Sequence, residues 1–329
     1  MANPLIDRFG RRIDYVRLSV TDRCDLRCRY CMAEKMQFAP SRELLSLDEL
    51  AELSDMLIAR GVKRIRLTGG EPLVRRGVLG LVETIGQRLG HGLDELTLTT
   101  NGTRLAAMAE QLARAGVKRI NVSLDSLDPD RFRAITRNGD LGKVLQGVAT
   151  ARAAGLKVKI NMVVLRDLNE HEVRGVLQWC AHEGHDLSLI ETMPLGETGE
   201  DRTARYVPLD DVRRRLGNWY QLVPSSHKTG GPARYYDVPE IGGRIGFITP
   251  HTSNFCASCN RIRITATGVV FGCLGRNQQV PLRDAMRTGG REAVDVLLDK
   301  VMGAKPQRHD FDMTERLPTL GRHMSVTGG

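Results

Sequence analysis

Residues 21–32 read Thr21-Asp22-Arg23-Cys24-Asp25-Leu26-Arg27-Cys28-Arg29-Tyr30-Cys31-Met32, with three residues between the first two cysteines and two between the last two. Thiols gathered this tightly indicate metal ligation, because free cysteine is reactive and seldom clustered without use. A zinc site would need a fourth ligand nearby and normally draws on two separated knuckles. Three thiolates on one turn can instead hold a cubane of four irons and leave one iron open.

The run before this loop, Asp14 to Val20, alternates apolar and polar residues and predicts a strand that ends where the cysteines begin. Behind the loop, Ser46 and Glu49 form a capping-box pattern. Leu47, Leu50, Leu53, Met56 and Leu57 then recur at helical spacing, and Gly61 supplies a left-handed stop before the strand-like Val62 to Leu67. The same phrase, a glycine followed by a β-prone run, returns at Gly92, Gly116, Gly155 and Gly184, at intervals of 24 to 39 residues. Helical segments such as Arg104 to Ala115 and Asn169 to Glu183 lie between. Six strands up to Glu191 predict an α/β fold. Periodicity alone also suits a doubly wound open sheet. The unusual residues fall at the C-terminal ends of the strands, which favours an incomplete, TIM-like (βα)6 barrel.

Beyond Glu191, residues 194–208 and 224–234 are rich in Gly, Pro, Ser and Thr, and the repeat gives way to loops and short strands. The expected division is a barrel core, residues 1–220, and a C-terminal α+β cap, residues 221–329, that carries the second cysteine group and ends in Gly328-Gly329.

The 329 residues carry a net charge of +9, which calls for an anionic partner. Aromatic residues make up only 5%, and Arg and Lys are scattered, so no platform for stacking bases is visible and nucleic acid is not expected. A small polyphosphate explains the charge as well. No G-x4-G-K-[ST] loop is present, so a nucleotide would not be held in the P-loop manner. The N-terminus lacks the apolar core of a signal peptide and no long uncharged apolar stretch occurs, so a cytoplasmic location without membrane attachment is expected. Seven cysteines, an odd number, suit metal ligation in a reducing compartment.

The second group is Cys256, Cys259 and Cys273. It reads either as a closed zinc knuckle completed by His251 or Cys180, or as a second cubane with an iron free for substrate. Arg261 and Arg263 alternate along an expected strand, so they point the same way and resemble an anion clamp. Gly69-Gly70-Glu71-Pro72 lets backbone approach a ligand closely. Arg17, Arg66 and Lys159 lie on strands, where an inward charge is costly without an anion.

The first triplet, with Tyr30 before its last cysteine, resembles the radical S-adenosylmethionine (SAM) superfamily. The whole set of motifs resembles more narrowly the GTP 3',8-cyclase family (molybdenum cofactor biosynthesis protein A). These motifs are D-R-C-D-L-R-C-R-Y-C-M, R-L-T-G-G-E-P-L, T-T-N-G, N-V-S-L-D-S-L, K-I-N, I-E-T-M-P, C-A-S-C-N-R-I-R-I-T, K-P-Q-R-H and the glycine tail. Asp25, Ala33 and Ser188 depart from the family pattern.

The resemblance implies two [4Fe-4S] clusters and SAM as cofactors. Cys24, Cys28 and Cys31 would hold the SAM cluster, and Cys256, Cys259 and Cys273 the cluster that meets substrate. Tyr30, Gly70, Ser123 and Met193 would line the SAM site. Arg17, Arg66, Thr99, Lys159, Arg261 and Arg263 would bind GTP, and Gly328 and Gly329 would reach into the active site for catalysis. The implied reaction converts GTP to (8S)-3',8-cyclo-7,8-dihydroguanosine 5'-triphosphate, the first step of molybdenum cofactor biosynthesis. Implied partners are an electron donor such as flavodoxin or ferredoxin and a downstream cyclic pyranopterin monophosphate synthase, and a homodimer is admitted. A radical SAM enzyme acting on a peptide or RNA would share the first triplet and is the alternative.

Overall fold

The computed structural model describes residues 3–252, 255–313 and 318–328. Six strands, β1 (Tyr15–Ser19), β2 (Arg64–Thr68), β3 (Glu95–Thr100), β4 (Arg119–Ser123), β5 (Lys157–Val163) and β6 (Asp186–Ile190), follow one another in space as they do in sequence, each parallel to the next. Between them run α1 (Leu47–Ala59), α2 (Val78–Gly86), α3 (Leu105–Arg114), α4 (Pro129–Thr136), α5 (Leu141–Ala153) and α6 (Val173–Glu183).

Local chemistry marks the ends. Ser46 and Glu49 close a reciprocal capping box on α1, while Asp128 and Asp140 accept backbone N–H groups at the starts of α4 and α5. Gly184 sits at φ +73° as the left-handed cap of α6.

A doubly wound sheet reverses its strand order near the middle, and this one does not. Right-handed crossovers taken always in one direction lay every helix on the same face of the sheet. Accordingly α1 packs on α2, α2 on α3 and α3 on α5. The expected (βα)6 partial barrel is the observed architecture. Val16, Leu18, Ile65, Leu67, Leu96, Leu98, Ile120 and Val122 point outward to those helices and are at most 1% exposed. Every second residue therefore faces the concave side.

The short α7 (Arg202–Arg205) and α8 (Leu209–Leu216) lead into the C-terminal region, which extends the sheet at both edges. On one side, β9 (Gly243–Ile248) pairs parallel with β6 and is followed outward by β8 (Arg234–Val238) and β7 (Val223–Pro224). On the other side, β10 (Arg261–Ile264) pairs parallel with β1, and β11 (Val269–Phe271) and β12 (Gln279–Pro281) pair antiparallel beyond it. The six repeated strands thus become eight parallel ones. The edges β12 and β7 do not pair among the described residues. Helix α9 (Gly290–Ala304) and the short α10 (Met324–Thr327) complete the chain. No described helix is long and apolar enough to cross a membrane.

Candidate active site

On the concave face the strand register draws the basic residues into rows. Arg263, Arg17 and Arg66 are direct neighbours across β10, β1 and β2. One row nearer the C-terminal ends, Thr99, Asn121 and Lys159 are neighbours across β3, β4 and β5. All six line one cavity together with Arg261 and both cysteine triplets.

The row has few partners. Arg17 Nε, Arg66 Nε and Nη2, Thr99 Oγ1 and Asn121 Nδ2 are buried without a hydrogen bond, although Arg66 lies 5.3 Å from the centre of the Tyr15 ring. Burial, and then Arg66, push the Arg17 guanidinium down; burial, with Arg17 and Arg261, pushes Arg263 well down. Lys159 is also pushed well down by burial and by Arg66, Arg119 and Arg17, and its Nζ donates to Tyr235 Oη at 3.1 Å. Arginine stays charged under such pressure. Gathering unpaired cations and donors in a buried space is destabilising unless an anion of several charges joins them. Thr100, next to Thr99, is already committed, since its hydroxyl donates to Glu71 Oε1 at 2.8 Å.

Around the first triplet the buried neighbours are acidic. Tyr30 Oη donates to Asp125 Oδ2 at 2.7 Å, and Asp125 Oδ1 accepts from Val163 N at 2.8 Å. Glu71 accepts from Leu73 N, Asn101 N and Thr100. Burial raises Asp125 to about 6 and Glu71 to about 7. It also raises the Cys31 thiol to about 12, and Cys24 and Cys28 further, with Glu71 adding to the first and Asp125 to the second. Gly69 and Gly70 lie against the cysteine loop: a Cβ would stand 2.4 Å from Thr21 O at Gly69 and 2.4 Å from Arg23 O at Gly70. Ser123 and Met193 also line the cavity. Asp25 accepts from Asn101 Nδ2 and Thr103 Oγ1, each at 2.7 Å, so this departure from the family pattern is tied into the loop.

The second triplet has basic surroundings. Burial pushes the Cys259 thiol up, but Lys305 and Arg261 outweigh it, and the net shift is downward. Arg11 donates to the Cys256 carbonyl at 2.7 Å and anchors this loop to the N-terminal segment.

None of the seven cysteines is in a disulfide. Cys180 is fully buried on α6, on the helical face of the sheet, and His251 Nε2–H donates to Thr192 O at 2.9 Å. Neither lines the cavity that holds the second triplet. A single zinc draws each thiolate to about 2.3 Å, and among the described residues no three His, Cys, Asp or Glu converge in that way. A four-iron cluster binds each thiolate through a different iron and so spaces them more widely. Three cysteines on each loop, none of them in a disulfide, fit that group.

The tail reaches the same space. Met324 and Ser325 line the cavity, and Arg263 Nη1 donates to the Gly328 carbonyl. Gly328 has φ +77°, and a Cβ there would run into the Thr68 hydroxyl. Gly329 lies outside the described residues.

Residues 18–180 match the Radical SAM superfamily and residues 185–311 match Molybdenum Cofactor Synthesis C. A GTP 3',8-cyclase of Erythrobacter litoralis is 56% identical over 330 residues, covering 100% of this chain and 99% of the relative. The chain belongs to the GTP 3',8-cyclase family. Other members of the family, from Rhodopseudomonas palustris and Rhizobium meliloti, are 55% and 53% identical, each covering 99% of this chain and 96% and 95% of their own. Among solved structures, Streptococcus suis SuiB bound to S-adenosylmethionine shares the fold, with a TM-score of 0.64 at 14% identity over 99% of this chain and 77% of that one.

Several residues of this site went unassigned in the sequence. Asn121, on the cavity, has the parity of Ser123, and Tyr15, which packs against Arg66, has the parity of Arg17; that alternation was the available signal. Asp125 stood in the motif N-V-S-L-D-S-L without a role. Lys305 and Arg11 carried no local signal for burial against the second triplet.

Proposed function

We propose that this chain is a radical SAM enzyme that converts GTP to (8S)-3',8-cyclo-7,8-dihydroguanosine 5'-triphosphate, the first step of molybdenum cofactor biosynthesis. Its cofactors are two [4Fe-4S] clusters and SAM. The supporting observation is a strip of buried guanidinium groups without a carboxylate partner among the described residues, with Arg17 Nε and Arg66 Nε and Nη2 making no hydrogen bond, on the cavity that both cysteine triplets line. When bound, the first cluster and SAM supply the one-electron chemistry that removes the C3' hydrogen of the ribose.

In this reading Cys24, Cys28 and Cys31 hold the first cluster, and Tyr30, Gly70, Ser123 and Met193 surround SAM. Cys256, Cys259 and Cys273 hold the second. Arg17, Arg66, Arg261, Arg263 and Lys159 neutralise the triphosphate, and Thr99 donates its free hydroxyl. Fixing the nucleotide by bidentate guanidiniums turns the ribose toward the first cluster and excludes water from the reacting carbon. Gly328 brings backbone without a side chain beside Arg263, and Gly328 and Gly329 serve catalysis. The division into residues 1–220 and 221–329 belongs to the same proposal, supported by α8 ending the helical repeat and β7 opening the antiparallel run. So do a cytoplasmic location, a flavodoxin or ferredoxin as electron donor, the downstream synthase and a homodimer.

The test is anaerobic reconstitution with iron and sulfide, reduction, addition of SAM and GTP, and mass spectrometry. Deoxyadenosine together with a GTP isomer of unchanged mass is expected. Deoxyadenosine without GTP conversion would move the substrate assignment elsewhere, and intact clusters without SAM cleavage would end the enzyme reading.

A further inference from the structure

Lys305 follows α9 directly and is 2% exposed, yet it does not line the cavity. Its ammonium donates to Cys259 Sγ at 3.5 Å, to Arg261 O at 3.0 Å and to Gly272 O. An ammonium has three N–H donors, and here they find one sulfur and two carbonyls. No carboxylate is among these partners. A buried ammonium without a carboxylate is costly unless another negative group faces it, and the group facing it here is the Cys259 sulfur, which is a thiolate when it ligates a metal.

The acceptors also come from both sides of the second triplet. Arg261 begins β10 two residues after Cys259, and Gly272 immediately precedes Cys273. A Cβ on Gly272 would stand 3.2 Å from the Cβ of Lys305, so the missing side chain makes room for the lysine stem. Arg60 donates to the Asp295 side chain at 3.0 Å and fixes α9, which delivers the lysine from a rigid element.

We infer that Lys305 is a positioning residue for the second cluster: it ties the Cys259 and Cys273 loops together from behind the cavity wall and donates a charged hydrogen bond to a ligand sulfur. This inference rests on the reading that the second triplet holds a cluster. Hydrogen bonds to ligand sulfurs and nearby positive charge make a cluster easier to reduce. Lys305 thus tunes the cluster that meets the substrate without touching SAM or GTP.

The experiment uses the full chain with Cys24, Cys28 and Cys31 changed to serine, so that any iron-sulfur signal comes from the second site. After anaerobic reconstitution, iron content and a redox titration followed by electron paramagnetic resonance are recorded for this parent and with Lys305→Met or Lys305→Arg added. Absence of a cluster in the parent would refute the second-triplet reading itself. Given a loaded parent, Lys305→Met should shift the reduction potential to more negative values, and Lys305→Arg should recover part of the shift. Loading of the arginine variant alone also upholds the inference, since arginine keeps the charge and the donors. A loaded methionine variant with the parent's potential overturns it, as does an arginine variant that shifts as far as methionine or, like methionine, fails to load.

Discussion

The two cysteine triplets share one cavity, but Cys24, Cys28 and Cys31 sit among Glu71, Asp125 and Tyr30, whereas Cys256, Cys259 and Cys273 sit among Lys305, Arg261 and Arg263. The ligand sets are alike, so the difference lies in the counter-charges. The acidic end suits a ligand with an ammonium and a sulfonium, as SAM has. The basic end suits a triphosphate. A cavity polarised in this way orients two ligands before any contact between them, since each is repelled from the other's place.

The largest expected effect follows from breaking one end at a time. Cys28→Ser should abolish SAM cleavage altogether. Cys256→Ser should lower bound iron by about half, as expected for two clusters of equal size, and abolish GTP conversion while deoxyadenosine is still formed. Iron assay and product chromatography check both, and equal loss of SAM cleavage in the two variants would remove the division of labour.

Next comes the cationic strip. Replacing Arg66 or Arg263 by alanine removes a charged hydrogen-bond donor worth about 1.5–3 kcal/mol, or about 10- to 140-fold in GTP affinity. Arg64 pairs with Asp14 at 3.1 Å outside the cavity lining, and Arg64→Ala should change affinity little. Equilibrium binding of GTP to the reconstituted protein makes the comparison, and equal losses at Arg64 and Arg66 would dissolve the strip as a site. A smaller effect is expected at the other end from Gly70→Ala. Its Cβ would meet backbone at 2.4 Å, and the forced shift should destabilise the fold by about 1–3 kcal/mol. A lowered melting temperature with weakened SAM binding would support this; an unchanged melting temperature would not.

How legible this was in the sequence differs along the chain for a physical reason. Strand and helix units are local. The alternation in Asp14 to Val20, the Ser46 cap and the glycine stops declare themselves within a few residues, and β1 through β6 fall in those runs. Arg261 and Arg263 could be assigned a common direction from strand parity alone. That β10 lies parallel beside β1 could not be seen, because the pairing of Arg17 with Arg263 joins residues from opposite ends of the chain. For the same reason Lys305 was one lysine among 48 basic residues. Its burial depends on Gly272 and Cys259, which only the tertiary fold brings to it.

The smallest expected effect concerns the acidic end of the metal-free protein. Burial holds the Asp125 carboxyl at about 6, above its ordinary 3.8. A carboxyl raised in the folded state binds its proton more tightly there than in the unfolded chain, so stability falls as pH rises from the unfolded value through the folded one. Asn at this position can still accept from Val163 N through its one oxygen, its amide NH2 can donate to Tyr30 Oη in place of the second carboxylate oxygen, and it has no proton to lose. The melting temperature of Asp125→Asn minus that of the unaltered metal-free chain should therefore rise between about pH 4 and pH 6 and level off above. Taking the difference cancels Glu71 and every other group the two proteins share. A flat difference profile would mean that Tyr30 and Val163 N keep Asp125 ionised throughout, and the acidic end would then carry a fixed negative charge before any cluster or SAM arrives.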